Sequence, residues 1–461
     1  MAGTGFILRK LAHQDNLSGV VKAFLYSTVI AVGPWILIVF TLTAISSYTS
    51  LHIDPEEVDN FLSIIVYNLF FSLVFSAPLY VVSARYTSDC LYKREMAPIP
   101  GILITNLGLL LIPGSLLATC FYFCYATLSP IEIILSVIQF LLLSATWYVS
   151  LFLSSIHNFR AITICWVLGM VLTAILSIYC GNLYGAEGML FGTNVGLAFL
   201  LFSQTATIFA EYAGSFALPK ELTFYFHRYQ KLFWSGLFLY AGMWIDKVIM
   251  WGSKEAIRHG SNLTTYPVYD QALFLSYLTI IFLLALFIFS LEANFYLSYI
   301  KYIQHIERNA PLAQIEATKK ELISEIKENG RSALVLQGTL SLSVILLAPM
   351  LFNWFGISYL CLNIFCLGTL GSFFAGLNLI LYVYFSYFDS QENMLCLSLL
   401  LFFSNAILTL LSQHLGFAYY GYGYCLSMIL TFCVSATLFA RFLDQLTYRI
   451  FIDNVVKRQK V

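Results

Sequence analysis

The chain has 461 residues, of which 59% are apolar and 17% aromatic, whereas only 10% are charged. Soluble globular domains carry about 25% charged residues, so this composition excludes that class and predicts an all-α polytopic membrane protein. The 24 basic and 24 acidic residues give a formal net charge of zero, which provides no electrostatic reason to expect a nucleic-acid partner.

The first 23 residues carry too many charges for a signal peptide. Arg9, Lys10 and Lys22 interrupt any apolar core, and no small-residue cleavage site follows one. The apolar residues between these charges instead predict a helix that lies on the membrane surface.

Twelve apolar stretches reach the length of about 20 residues that spans the hydrocarbon core of a bilayer. The predicted helices lie at 24–47, 60–84, 99–125, 131–154, 161–181, 189–211, 232–252, 273–299, 333–353, 360–387, 394–413 and 421–441. Gly181 to Gly188 is the only break between the fifth and the sixth of these helices.

The distribution of basic residues predicts the orientation of these helices. With the N-terminus inside, 21 of the 24 Lys and Arg residues fall in segments on the cytoplasmic side. Because loops on the cytoplasmic side are enriched in Lys and Arg, we expect both termini to be cytoplasmic.

The polar segment 211–231 predicts a linker between two lobes of six helices, residues 1–220 and residues 221–461. On the cytoplasmic side, residues 302–331 carry Ile315, Leu322 and Ile326 on one helical stripe. We expect an amphipathic helix that lies along the inner face of the membrane, although a role in docking a partner is an alternative.

The stretch 232–252 carries two charges inside an apolar segment, Asp246 and Lys247. A charge at the bilayer centre costs at least about 2.5–3.5 kcal/mol, so intramembrane ionisable residues are candidates for substrate or ion pathways. Neighbouring residues point about 100° apart on a helix, which makes Lys247 a poor partner for Asp246. An ion pair between Lys247 and another helix remains the structural alternative.

Glu292 is the second intramembrane acid. At 1.5 Å per residue, Asp246 lies about 21 Å from the start of its helix, whereas Glu292 lies about 10–13 Å from the inner end of the next. The difference in depth argues against a direct contact between the two carboxylates. Asp246 is therefore expected to face a cavity rather than a closed pair.

Two of the predicted helices contain residues that weaken a helix at similar positions. Gly33 and Pro34 precede Trp35 in the first helix, and Gly242 precedes Trp244 in the seventh. Interrupted helices at corresponding places in two halves point to a transporter's central site, which predicts helix breaks at the two glycines and the proline. The alternative is that these residues only bend their helices.

Motifs for enzymatic chemistry are missing from the sequence. It contains no GxxxxGK[ST], no HExxH and no Cys/His cluster, and its ten cysteines fall mostly within apolar segments. These observations predict a protein that binds and moves its substrate, with no cofactor and no metal.

Four blocks of sequence resemble the PelG-type transporters of bacterial exopolysaccharide synthesis. They are MAGTGFILRKL at 1–11, GPW at 33–35, WIDK at 244–247 and EANF at 292–295. The resemblance covers the whole chain and implies the fold of the multidrug/oligosaccharidyl-lipid/polysaccharide flippase superfamily, two six-helix bundles around a central cavity.

The resemblance further implies export of an N-acetylhexosamine-rich polysaccharide across the bacterial inner membrane. The implied partners, besides membrane lipids and the polysaccharide cargo, are a PelF-like cytoplasmic glycosyltransferase and PelD-like and PelE-like membrane proteins. Two alternatives remain open. One is an ion-coupled drug or cation antiporter of the same fold, and the other is a membrane scaffold that holds a glycosyltransferase and transports nothing.

Overall fold

A computed structural model describes residues 17–155, 159–212, 222–291 and 295–450. Almost all of these residues are helical, and a short two-stranded sheet pairs β1 (Ile257–Arg258) with β2 (Thr264–Thr265). The helices are α1 (Leu17–Thr49), α2 (Pro55–Lys93), α3 (Ile99–Tyr125), α4 (Pro130–Ser155), α5 (Phe159–Glu211), α6 (Leu222–Arg228), α7 (Gln230–Met250), α8 (Pro267–Leu278), α9 (Ile280–Ser290), α10 (Tyr296–Glu307), α11 (Leu312–Phe355), α12 (Leu362–Tyr387), α13 (Gln391–Leu415) and α14 (Tyr422–Asp444).

Eleven helical stretches among the described residues are long and apolar enough to cross a membrane. One of them is α5, whose 53 residues would extend about 80 Å as a single helix, far more than one crossing needs. Its backbone leaves the helical region at Tyr184 and Gly185. The predicted pair of helices at 161–181 and 189–211 is therefore confirmed, which brings the number of apolar segments to the predicted twelve.

Gly185 is the residue that allows this break. Its φ of 60° and ψ of −137° are accessible to glycine but not to residues with a Cβ. A Cβ there would also lie 1.8 Å from the Glu57 carboxylate, which accepts a hydrogen bond of 2.9 Å from the backbone N–H of Ala186. The carboxylate thus caps the second half of α5, where the helix dipole favours a negative charge.

The breaks predicted at Gly33, Pro34 and Gly242 are absent. α1 continues through Gly33 and Pro34, and α7 continues through Gly242. The physical reason is the membrane setting, because a broken helix would expose backbone groups that find no water in lipid. One proline removes a single hydrogen bond, and α2, α3 and α11 each contain an internal proline as well.

The chain divides into two compact units, Gly33–Asp270 and Met1–Val32 with Gln271–Val461. Within the first of these units, α7 packs against α2. A Cβ on Gly236 would lie only 3.0 Å from Val81 and 3.2 Å from the carbonyl oxygen of Ala77. The predicted boundary after residue 220 lies outside the described residues and stays a prediction.

In the unit Gly33–Asp270, the segment between α7 and α8 forms hydrogen bonds to α2 and to the end of α3. The chain after α7 forms an antiparallel hairpin in which Ile257 pairs with Thr265. The Ser261 N–H donates to the Asn60 side chain at 3.0 Å, and the Asn262 amide donates to the Tyr125 carbonyl at 2.7 Å. These bonds hold the hairpin against the start of α2 and the end of α3.

His259 belongs to the same hairpin. Its Nε2 lies 2.7 Å from Thr265 Oγ1. Partial burial lowers the pKa of His259 below its ordinary value, and the nearby Asp59 carboxylate partly opposes this effect. Burial therefore favours the neutral imidazole in the folded protein.

In the other unit, α14 packs against α12 and α13, and α10 packs against α11. The prediction of a separate amphipathic helix along the membrane is wrong, since residues 312–331 begin the 44-residue helix α11. Ile315, Leu322 and Ile326 do form one stripe, but all three are buried within the protein. The stripe therefore packs against protein rather than lipid.

Candidate functional site

The site is built around two adjacent charged residues near the end of α7. Asp246 has no exposed surface, and Lys247 is only 5% exposed. Lys247 Nζ lies 3.8 Å from Asp246 Oδ2, so the prediction that Lys247 is a poor partner for Asp246 is wrong. That prediction compared directions of Cβ atoms, but the four-carbon stem of a lysine is long enough to bring its ammonium group back to the neighbouring carboxylate.

Asp246 also accepts a hydrogen bond of 3.0 Å from the Tyr269 hydroxyl. Tyr269 is 1% exposed and lies in the first turn of α8, which begins at Pro267. In this conformation Asp246 therefore lies in a closed pair instead of facing water, contrary to the sequence expectation.

Asp270 is the second carboxylate of the site. Its Oδ2 accepts hydrogen bonds from Trp251 Nε1 at 3.0 Å and from the Tyr266 backbone N–H at 3.3 Å. Its Oδ1 is buried without a hydrogen-bond partner in the structure. Asp270 directly follows Tyr269, whose hydroxyl donates to Asp246, so the backbone of α8 places the second carboxylate next to this hydrogen bond.

Aromatic rings form the walls around these charges. Lys247 Nζ lies 4.7 Å from the centroid of the Trp244 ring, a cation–π distance. Trp244 in turn contacts Phe70 of α2, and Trp251 stacks on Tyr67 of α2 with ring centroids 4.5 Å apart. The Tyr67 hydroxyl donates to the Thr264 carbonyl at 2.8 Å, which connects the site to the hairpin.

We name Asp246, Lys247, Tyr269 and Asp270, with the rings of Trp244 and Trp251, the charged cluster. It contains two carboxylates and one ammonium group. Removing ions from water carries a penalty of several kcal/mol per ion, and pairing compensates for it only when geometry is favourable. A cluster of this kind is therefore weak evidence for a stabilising role and better evidence for a functional one.

The remaining predicted site residues fall elsewhere. Trp35 is half-buried in α1, and Gly242 is buried one turn before Asp246 in α7. Glu292 lies outside the described residues. Among the described residues there is no group of three or more His, Cys, Asp or Glu side chains that could hold a metal ion.

A second polar group lies in the same unit, among α2, α3 and α4. The Tyr122 hydroxyl donates to Asn68 Oδ1 at 2.7 Å, and Asn68 Nδ2 donates to Gln139 Oε1 at 2.9 Å and to the Ser136 carbonyl at 3.1 Å. We name these four residues the neutral network, because all are buried and none carries a charge.

Solved structures with the same fold are membrane transporters. A mutant form of a MATE protein aligns with a TM-score of 0.63 at 13% identity, over 92% of this chain and 97% of that chain. An outward-facing multidrug resistance MATE family transporter of the MOP superfamily aligns with a TM-score of 0.62 at 12% identity, over 92% and 96%. A MATE in the bent conformation gives 0.62 at 13% identity, over 97% and 100%. The likeness defines a multi-pass membrane protein with a MATE-like transporter fold.

A family match identifies the chain more specifically than its fold does. Residues 1–451 match PelG, described as "Putative exopolysaccharide Exporter (EPS-E)", and the chain therefore belongs to the PelG family. No curated protein matches the chain. The resemblance found in the sequence is thereby confirmed, and both family and fold are those of transporters rather than enzymes.

Proposed function

We propose that the protein exports a Pel-like, N-acetylhexosamine-rich exopolysaccharide across the bacterial inner membrane. The observation that carries this proposal is the PelG family match over nearly the whole chain. The transporter fold is consistent with it. We further propose a PelF-like cytoplasmic glycosyltransferase and PelD-like and PelE-like membrane proteins as partners that supply the polymer.

In this proposal the charged cluster lies on the export pathway. Asp246 accepts a hydrogen bond from the Tyr269 hydroxyl, a group with the same donor chemistry as a sugar hydroxyl. Opening of the cluster would let a sugar hydroxyl replace Tyr269 on the carboxylate. Trp244 offers a flat apolar face beside the charges, which suits the apolar face of a sugar ring.

The test is secretion of polymer by a strain that lacks its own copy of this gene and carries either the wild-type chain or Asp246→Asn. The substitution keeps the size of the side chain and removes its charge. We expect normal protein level, normal assembly with the partners and at least about a tenfold loss of secreted polymer, equivalent to about 1.4 kcal/mol. Glu255→Gln, which neutralises an exposed acid in the hairpin segment, serves as the control and should secrete normally.

The alternatives give different results in the same strains. A scaffold that transports nothing would leave secretion normal in Asp246→Asn. A drug or cation antiporter would lower the toxicity of its substrate when expressed alone, without the exopolysaccharide genes. Either result would contradict the proposed export function.

A further inference from the structure

The charged cluster has the composition of a cation site that is already occupied. Carboxylate oxygens are the ligands that hard cations take from proteins, and Asp246 and Asp270 supply them here. The cation beside them is the ammonium group of Lys247, whose Nζ lies 3.8 Å from Asp246 Oδ2. Asp270 directly follows Tyr269, the residue whose hydroxyl donates to Asp246. The centroid of the Trp244 ring lies 4.7 Å from the nitrogen of this ammonium group.

Because the two carboxylates are buried, they need a positive charge close by. Asp246 has no exposed surface, and one oxygen of Asp270 is buried without a hydrogen-bond partner. Two carboxylates without a counter-ion in such a place would either take up a cation or become neutral. The ammonium group prevents this, and because it is tethered to α7 it cannot diffuse away.

We propose that Lys247 is the resident cation of the Asp246–Asp270 carboxylate pair, so that this site takes no Na+ or K+ unless Lys247 is replaced. The absence of Na+ and K+ binding at this site does not depend on which cargo the protein carries. Its consequence, that an alkali-cation gradient does not drive the protein through this site, rests on the proposed transport function.

The experiment measures binding on the purified full-length protein in detergent, so it does not depend on transport. Equilibrium binding of radioactive Na+ and of Rb+, as a substitute for K+, is combined with melting temperatures in NaCl, RbCl and choline chloride at equal ionic strength. The wild type should show no saturable binding and one melting temperature in all three salts. Lys247→Ala should bind about one ion per chain and melt higher in an alkali salt than in choline chloride, since a ligand that binds only the folded state stabilises it.

Three further variants identify the position of the ion. Lys247→Arg keeps the positive charge and should behave like the wild type. Lys254→Ala removes an exposed lysine from the nearby hairpin segment and should bind nothing. Lys247→Ala combined with Asp246→Asn should lose the binding that Lys247→Ala gained.

Two results would overturn the proposal. One is saturable Na+ or Rb+ binding to the wild type that Asp246→Asn abolishes. The other is a folded Lys247→Ala protein that binds neither ion and melts at one temperature in all three salts. If Lys247→Ala does not fold, the wild-type measurement still decides, and Lys247→Gln, whose amide can donate to the carboxylates, replaces it in the binding arm.

Discussion

The charged cluster and the neutral network lie in the same unit and are both buried, yet they satisfy their polar groups differently. In the neutral network the Tyr122 hydroxyl, the Asn68 amide and the Gln139 carbonyl pair donor with acceptor, and no group carries a charge. The charged cluster holds three ionisable side chains, and one oxygen of Asp270 has no hydrogen-bond partner. A neutral network can serve helix packing alone, whereas the cluster keeps charges in apolar surroundings at a cost that packing does not require.

The neutral network has two incomplete groups of its own, Ser136 Oγ and Gln139 Nε2. Gln139 Nε2 is buried without a partner, and Gln139 lines a cavity of about 30 Å³ together with the threonines Thr41, Thr173 and Thr193. A cavity of this size has room for about one or two water molecules. The exposed lining of this cavity is almost wholly apolar, however, so the cavity offers the Gln139 amide no polar partner.

The largest expected effect is that of Lys247→Met. Removing the ammonium group leaves the two carboxylates without a counter-ion, so the free energy of unfolding should fall by about 3–5 kcal/mol in choline chloride. Denaturant titration of the purified protein measures the loss. The double variant with Asp246→Asn should regain part of it, because one of the stranded charges is gone.

The control for this experiment is Lys301→Met. Lys301 pairs with Glu321 at 2.6 Å, but both side chains are about half-exposed, and exposed pairs contribute about 0–1 kcal/mol. Equal losses in the two variants would mean that burial does not distinguish the cluster from a surface ion pair.

Tyr269→Phe should have the next largest effect. It removes the hydroxyl that donates to Asp246 while keeping the ring, and the loss in stability should be about 1–2 kcal/mol. Tyr359→Phe is the matched control, because that exposed hydroxyl donates only to a backbone carbonyl, Pro349, at 3.3 Å. A Tyr269→Phe protein as stable as this control would show that the hydroxyl does not hold the carboxylate.

The sequence was sufficient to predict the apolar segments and to identify Asp246 and Lys247 as candidate site residues. Apolar runs and isolated charges can both be recognised within a short stretch of sequence. It missed Tyr269 and Asp270, which lie between the predicted helices 232–252 and 273–299. Pro267 was the available signal, since proline is favoured at the first position of a helix and α8 begins there. Read in that way, the sequence would have placed both residues in the first turn of a membrane helix.

Other predictions failed because they depended on the surroundings that the folded chain gives each residue. The stripe of Ile315, Leu322 and Ile326 was predicted correctly, but a stripe does not say whether lipid or protein covers it. Gly33 and Pro34 weaken a helix locally, yet the membrane keeps that helix continuous. Gly185 breaks α5 because its dihedral angles and the approach of Glu57 coincide there, and these cannot be deduced from a single glycine in the sequence.

A smaller effect is expected from Gln139→Leu in the neutral network. The substitution nearly conserves volume and removes a buried N–H group that has no partner, while Asn68 Nδ2 keeps the Ser136 carbonyl. Stability should change by about 1 kcal/mol or less, and polymer secretion should be normal. Lost secretion from a stable Gln139→Leu protein would place the neutral network on the export pathway and remove the contrast with the cluster.

The smallest effect is expected at the hairpin, whose Tyr266 N–H donates to Asp270 of the cluster. Burial lowers the pKa of His259, so the unfolded chain binds a proton more readily than the folded protein does. The contribution of His259 to the stability of the folded protein is therefore fully present above the ordinary histidine pKa of about 6.5. It is lost as the pH falls from there towards the lowered pKa of the folded state. Melting temperatures of the wild type and of His259→Gln, measured from pH 8 to pH 5 in steps of about half a unit, isolate this contribution. The wild type should lose more stability than the variant on acidification, and parallel curves would show that the hairpin does not hold His259 in its neutral form.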